Sequence, residues 1–378
     1  MKRYSILTLL IFSTAVLMHG CTDDGPLGPD PDDFDRSAIL TNWADNLIVP
    51  AYQNFVADAE ALESAAADFS ANPAADELLA LRNAFETAYL SFQKVSMYEI
   101  GPAMQVGAQG INLRNYLNSY PSDTAQIVEN VSLNDINLDL PSQLDAQGFP
   151  ALDYLLYGAA GSEAEILALY SEGADAPLYR SYLQTLSARI AGLAGNVLNA
   201  WETGYRDEFT DNSGNGANAS IDMMVNDYIF YYEKWLRAGK VGIPAGVFSG
   251  TPLPTHVEAL YHGSFSRQLA LEALSAVQDF FNGNHVNGTG SGESLNSYLD
   301  YLDSRRDGSQ LSVLINSQFE SARSELESLQ QNFADQVEND NIRMLNAYDE
   351  LQKNVVFMKV DMLQALNISV DYVDADGD

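Results

Sequence analysis

Cysteine is almost missing from this chain: of 378 residues only Cys21 is one, and it lies near the start. The body of the chain therefore has no internal disulfide, no cysteine nucleophile and no thiolate metal site. Histidine is nearly as scarce, with His19, His256, His262 and His285 the only four. His256 and His262 are six apart, on different faces of any helix. None of the four joins a His-x-x-Glu or His-Glu-x-x-His pair, the spacing that sets two ligands on one helical face. A self-contained zinc hydrolase site is thus not legible, nor is a Ser/His/Asp set. Positive charge is short as well: 19 Lys and Arg against 52 Asp and Glu, a net charge of −33. Such a surface repels nucleic acid and anionic lipid headgroups, so no nucleic-acid partner is expected. After the first twenty residues no apolar run is long enough to span a membrane. No period-two alternation is long enough to build a sheet, and the Gly/Asn loop from Asn282 to Glu293 lacks the Gly-Lys-Ser/Thr ending of a phosphate loop.

What is present begins with a targeting segment. Lys2 and Arg3 precede a mostly apolar run from Ile6 to Met18, which reads residues 1–20 as a secretory signal. Leu17-Met18-His19-Gly20-Cys21 resembles a bacterial lipoprotein cleavage box, with Cys21 as the lipidated first residue of the mature protein. The alternative is an ordinary signal peptide and an incidental cysteine. Residues 21–33 read as a flexible acidic tether. The expected placement is the cell envelope, lipid-anchored through Cys21 to the outer membrane, periplasmic or surface-exposed.

From Phe34 on, the spacing is helical. Ile39, Trp43, Leu47, Phe55 and Leu62 mark a first helix that Pro50 interrupts. Asn72 and Pro73 are expected to cap and open the next, with Asp76 and Glu77 in its first turn. Leu78, Phe85, Phe92 and Glu99 fall seven apart, which sets Glu99 in the apolar stripe just before the stop at Gly101-Pro102. A carboxylate there is either a paired structural group or a site residue. Ala176 to Trp201 is a long helix, and Asn212 to Asn218 is a loop. That loop divides a first helical bundle at 34–211 from a second at 219–378. Ser220 to Arg237 is an aromatic helix that ends in Gly239-Lys240-Val241-Gly242-Ile243-Pro244-Ala245. Further helices follow at Ser264–Phe281, Leu311–Phe333 and Asp335–Leu366. The fold class is all-α, two helical bundles packed together.

Gly148-Phe149-Pro150-Ala151-Leu152-Asp153-Tyr154-Leu155-Leu156-Tyr157-Gly158 reads as a short apolar helix between glycines. Pro150 suits its first turn, and Gly158 suits a left-handed stop. Asp153 is its one carboxylate, either a buried structural acid near the helix start or an acid pointed into a pocket. Lys234, Arg237 and Lys240 gather three of the scarce cations within seven positions. They form either a solvated face with a Glu233–Arg237 pair or an inward group that meets Glu99, Asp153 or an anionic ligand.

With these residues in view, the chain resembles the imelysin-like family of bacterial envelope proteins. The resemblance rests on Glu99-Ile100-Gly101-Pro102-Ala103, Leu113-Arg114, Tyr120-Pro121, the Gly148–Gly158 stretch, Tyr231-Tyr232-Glu233-Lys234-Trp235-Leu236-Arg237 and Lys240-Val241-Gly242-Ile243-Pro244-Ala245-Gly246. It implies two helical bundles with a site at their interface. The family motif, Gly-x-His-x-x-Glu, stands here as Gly148, Pro150 and Asp153. Proline offers no ligand atom, so the resemblance implies metallopeptidase chemistry only as an alternative. The expected function is an envelope lipoprotein that binds a small ligand or metal species connected with iron acquisition. Its ligand-binding candidates are Glu99, Gly101, Pro102, Gly148, Pro150, Asp153, Lys234, Arg237 and Lys240. Glu99 and Asp153 are its candidate ligands for iron or another divalent metal. Envelope uptake proteins are possible partners, and a surface interaction protein is the remaining alternative.

Overall fold

Apolar residues at three- and four-residue spacing fold into helices nearly throughout the structure, a computed structural model that describes residues 33–107, 109–133 and 136–372. The expected signal segment 1–20, Cys21 and nearly all of the tether lie outside the described residues, as does the acidic chain end after Tyr372. Helix α1 (36–71) runs through Arg36–Asn42, a π-helical turn at Trp43–Ile48, and Val49–Ala71. Pro50 opens the last piece, so the interruption takes the form of that widened turn. Helix α2 is Ala75–Val95, with Asp76 and Glu77 in its first turn. Asn72 does not cap it: Ala74 stands at that position, and the Asn72 amide donates instead to Glu77 Oε1 at 2.6 Å.

Short helices α3 (Leu113–Leu117) and α4 (Thr124–Ser132) follow. Next come α5 (Gly148–Asp153, widening into a π turn at Tyr154–Gly158) and α6 (Glu163–Ser171). The long α7 (176–211) is broken at Gly204, and α8 (220–245) begins at Ser220 and is π-helical from Tyr231 to Gly242. Helices α9 (Ser266–Asn282) and α10 (Leu295–Tyr301) precede a two-residue hairpin, Arg305–Arg306 against Ser309–Gln310. The chain closes with α11 (Leu311–Ser328) and α12 (333–366).

Helix α1 packs on α2 and α7, and α7 carries α4, α5 and α6. Farther along, α12 packs on α11 and α8, and α9 lies against α11, α8 and α2. Asp35–Asp378 is one compact unit. Aromatic side chains join the early and late helices: the Trp43 ring stacks on Phe280 at 4.7 Å. The buried α5 is anchored by Phe149, which stacks on Tyr89 at 4.4 Å and touches Phe55, Phe85 and Phe92. Burial of a phenylalanine of this kind contributes about 2 to 3 kcal/mol.

The two glycines around α5 serve different ends. Gly148 has φ +71°, and a Cβ there would lie 2.3 Å from the Leu117 carbonyl oxygen. Gly158, expected as a left-handed stop, does not take that conformation; its need is space, because a Cβ would enter the Tyr261 ring at 2.1 Å.

Candidate functional site

Helix α2 stops at Val95, so Glu99 belongs to the link 96–100 and not to a helical stripe. Three segments converge there. The link brings Glu99, α3 brings Arg114, and α8 brings Asp227. Arg114 Nη1 lies 2.9 Å from Glu99 Oε2, and Nη2 lies 3.7 Å from Asp227 Oδ1. Arg114 Nε donates to the Ser96 carbonyl at 2.6 Å. The Asp227 Oδ2 atom accepts the Glu99 backbone N–H at 2.7 Å. The guanidinium carbon lies over two aromatic rings, 5.1 Å from the Tyr231 centre and 5.2 Å from the Trp235 centre. Its Nη atoms pair by charge and distance, with no aligned hydrogen bond to either acid.

Glu99 and Asp227 of this cluster line a cavity of about 320 Å³, together with Gly101, Met104, Met223, Asn226, Phe230 and Asp371. Glu99 Oε1, buried like the rest of its side chain, accepts no hydrogen bond from the protein. Burial lifts the Glu99 carboxyl to about 7 against the pull of Arg114, and Asp227 also adds to the rise. Burial likewise lifts Asp227 to about 6, opposed first by Arg114 and then by the bond from Glu99 N. At neutral pH both acids therefore sit where a nearby cation decides their protonation.

Asp153 has a different setting. Its Oδ2 accepts from Tyr261 N and its Oδ1 from His262 N, both at 2.8 Å. Burial raises its carboxyl to about 7, opposed by those two N–H groups. The acid thereby holds the turn that contains left-handed Ala259 and Gly263 against α5. His262 extends the contact: its ring meets Tyr157 at 4.6 Å and Phe265 at 4.8 Å, and Nε2 lies 2.8 Å from Glu86 Oε1. Pro150 is buried in the first turn of the same helix and brings no donor atom. A metal in the Gly-x-His-x-x-Glu manner does not fit these residues, since one position has no ligand atom and the other has committed both oxygens.

The three clustered cations go to three places. Lys240 is buried with Glu258, and its Nζ also donates to Gln93 Oε1 at 2.9 Å. Glu258 Oε1 accepts from Asn118 Nδ2 at 2.7 Å and Gln93 Nε2 at 3.2 Å. Burial lowers the Lys240 ammonium below its usual range, with Glu258 opposing. Arg237 is fully buried on Glu233, Tyr348 and Gln352, and Lys359 shares Glu233 at 3.0 Å. The expected i,i+4 pair thus forms, but inside the protein. Only Lys234 is exposed, with Nζ 5.1 Å from the Phe230 ring centre and close enough to favour the charged form of Glu99. The π-helical stretch explains the dispersal: bonded i to i+5, it turns residues three apart toward different neighbours.

Glu99 and Gly101 line the cavity, and Pro102 follows them in the 3₁₀ turn Gly101–Ala103. Gly101 has φ +50°, and a Cβ there would overlap the Tyr205 ring at 2.0 Å. Gly148, Pro150, Asp153, Arg237 and Lys240 are held elsewhere, by the contacts given above. Sequence reasoning passed over Arg114, Asp227 and Glu258 as site or network residues. The available signal was a lone charge inside an apolar run, as in Met223 to Tyr231 around Asp227 or Val257 to Leu260 around Glu258.

Comparison with known proteins gives a consistent answer. The family model described as Imelysin, a peptidase family, matches residues 48–355. An imelysin-like protein from Psychrobacter arcticum 273-4 superposes with a TM-score of 0.67 at 18% identity, over 89% of this chain and 97% of that one. A protein from Parabacteroides distasonis ATCC 8503 named as an iron-regulated protein A precursor gives 0.70 at 15% identity, over 89% and 96%. These likenesses agree in the all-α fold. No curated protein matches the chain.

Proposed function

The chain belongs to the imelysin family, and from that premise we propose that it is a binding protein of the cell envelope, which takes a small ligand in the cavity beside Glu99 and Asp227. The observation that carries this reading is Glu99, an acid that lines the cavity and whose buried Oε1 accepts nothing from the protein. A polar atom left this way costs free energy in the free protein, which a ligand donor recovers. The cavity volume suits a small molecule. Its walls draw on both 34–211 and 219–378, in keeping with a ligand held between two helical halves.

Anchoring through a lipid on Cys21, placement at the outer membrane and contact with envelope uptake proteins complete the proposal. The name of the Parabacteroides distasonis relative supports a link to iron acquisition. A peptidase is the competing reading, raised by the family description. The commitment of both Asp153 oxygens to backbone N–H groups weighs against it. So does the donor set: among the described residues no group of three or more His, Cys, Asp or Glu could hold a metal ion.

A thermal-shift screen of fragments of every charge, with ferric citrate included, tests the binding reading on the full chain. Hits should be lost in Met223→Phe, which sets a bulkier, rigid ring in the cavity lining. They should persist in Asp153→Asn, which lowers stability by about 2 kcal/mol through the mismatched backbone bond. No hit of any charge, or hits indifferent to Met223→Phe, would refute it. Protein cleavage that a chelator abolishes would favour the peptidase.

A further inference from the structure

We propose that the ligand of this cavity is a small organic cation, whose primary ammonium or guanidinium head donates to Glu99 while an apolar body lies along Met104, Met223 and Phe230. This rests on the reading of the cavity as a binding site and adds the charge and donor chemistry of what enters it.

The first ground is hydrogen bonding. Glu99 Oε2 is paired with Arg114, whereas Oε1 has no donor, and the side chain is only 10% exposed. A ligand N–H satisfies the ionised carboxylate once it turns toward the cavity; a quaternary ammonium, which has no N–H, cannot. The second ground is charge. Glu99, Asp227 and Asp371 line the space, and Asp371 adds to the rise of the Asp227 carboxyl. Against these three acids stand Arg114 and Lys234, so the walls favour a cation. Arg114 is poorly placed to attract an anion: it is 2% exposed, its Nε is taken by Ser96, and aromatic rings cover it. The third ground is the rest of the lining. Ile100, Met104, Met223 and Phe230 offer apolar and aromatic surface, which suits a cation with a carbon body. A bare divalent ion asks for six or more oxygen ligands. Among the described residues no acid or histidine cluster of that kind exists.

Four probes that share one ring separate the possibilities: benzylamine, benzyltrimethylammonium, benzyl alcohol and phenylacetate. Calorimetric titration into the full chain in detergent should show benzylamine tighter than the other three by roughly tenfold or more. Near pH 6.5 the uptake should release protons, read as a heat that changes with the ionisation enthalpy of the buffer, because the incoming cation ionises acids that burial had left partly protonated. Glu99→Gln should abolish the preference for benzylamine. If that variant folds poorly, Met223→Phe provides the second reading, with binding lost and the acids untouched. Equal or tighter binding of benzyl alcohol or phenylacetate at the Met223→Phe-sensitive site would overturn the cation while leaving the cavity a binding site. Equal binding of the quaternary probe would overturn the N–H donation. Displacement of benzylamine by manganese chloride at equimolar concentration would overturn the organic ligand. Failure of benzylamine to bind at millimolar concentration would overturn the inference outright.

Discussion

Lys240 with Glu258, and Arg114 with Glu99 and Asp227, are two buried groups of opposite charges in one helical body, and they are finished to different degrees. In the first, the Lys240 ammonium meets Glu258 and Gln93. Both oxygens of Glu258 are engaged, one by Lys240 and the other by Asn118 and Gln93. Even the outer members are satisfied, since Tyr89 Oη donates to Asn118 Oδ1 at 2.5 Å. In the second, a cavity opens beside the acids and Glu99 Oε1 is left without a donor. Burial of charge is common to both, so burial does not mark a site. What separates them is whether the hydrogen bonds close without help from outside. By that criterion Asp153, with both oxygens on backbone N–H groups, belongs with the closed kind.

The comparison breaks most sharply at Lys240. Lys240→Met removes the cation and leaves Glu258 as a buried, uncompensated acid, which should cost about 3 to 5 kcal/mol in urea unfolding. Adding Glu258→Gln to that variant should restore much of the loss, because the amide can still accept from Asn118 and no charge remains. A near-neutral Lys240→Met would mean that the closed network is not what stabilises this part of the protein.

Glu99→Gln should behave in the opposite sense. The folded Glu99 carboxyl lies at about 7, above its ordinary 4.5, so the folded state holds a proton that the unfolded chain has lost. Ionisation therefore disfavours the fold: wild-type stability, measured against Glu99→Gln, should fall as pH rises from about 5 to about 7 and then level off. The fall should be on the order of 1 to 3 kcal/mol. Urea unfolding of both proteins at pH 5, 6, 7 and 8 measures it. A difference that grows with pH would mean that Arg114 outweighs burial and that the second cluster is as closed as the first.

How far the molecule was legible from its residues follows the same division. Helices were readable because apolar side chains at helical spacing must share a face. The loop before Ser220 was readable because Asn and Gly crowd it. Glu99 drew attention through a seven-residue spacing that has no physical meaning past Val95, where α2 ends. Its partner Asp227 lies 128 positions away, and no local pattern encodes a contact at that separation. Lys234, Arg237 and Lys240 looked like one group because they are close in sequence. The π-helical stretch sends two of them into separate buried pairs and leaves one outside. Pro150 and Asp153 were readable as members of one short apolar helix. That Asp153 clasps a turn 108 residues on was not.

Lys234 offers the smallest and most selective sharpening. It is exposed, rests on the Phe230 ring that lines the cavity, and favours the charged form of Glu99. Stability should scarcely respond to Lys234→Ala, because an exposed lysine of this kind contributes little. Affinity for benzylamine should tighten by roughly twofold at low salt, since a like charge that acts on Glu99 is gone. That gain should shrink at 0.5 M NaCl, where screening already mutes the repulsion. The same substitution should leave the Lys240–Glu258 pair untouched, because that pair shares no contact with Lys234 and is shielded from salt by burial. Weaker binding in Lys234→Ala, in calorimetry at low salt, would mean that the lysine recruits the ligand. The open cluster would then be a site for anions, its acids serving to hold Arg114 and Lys234 in place.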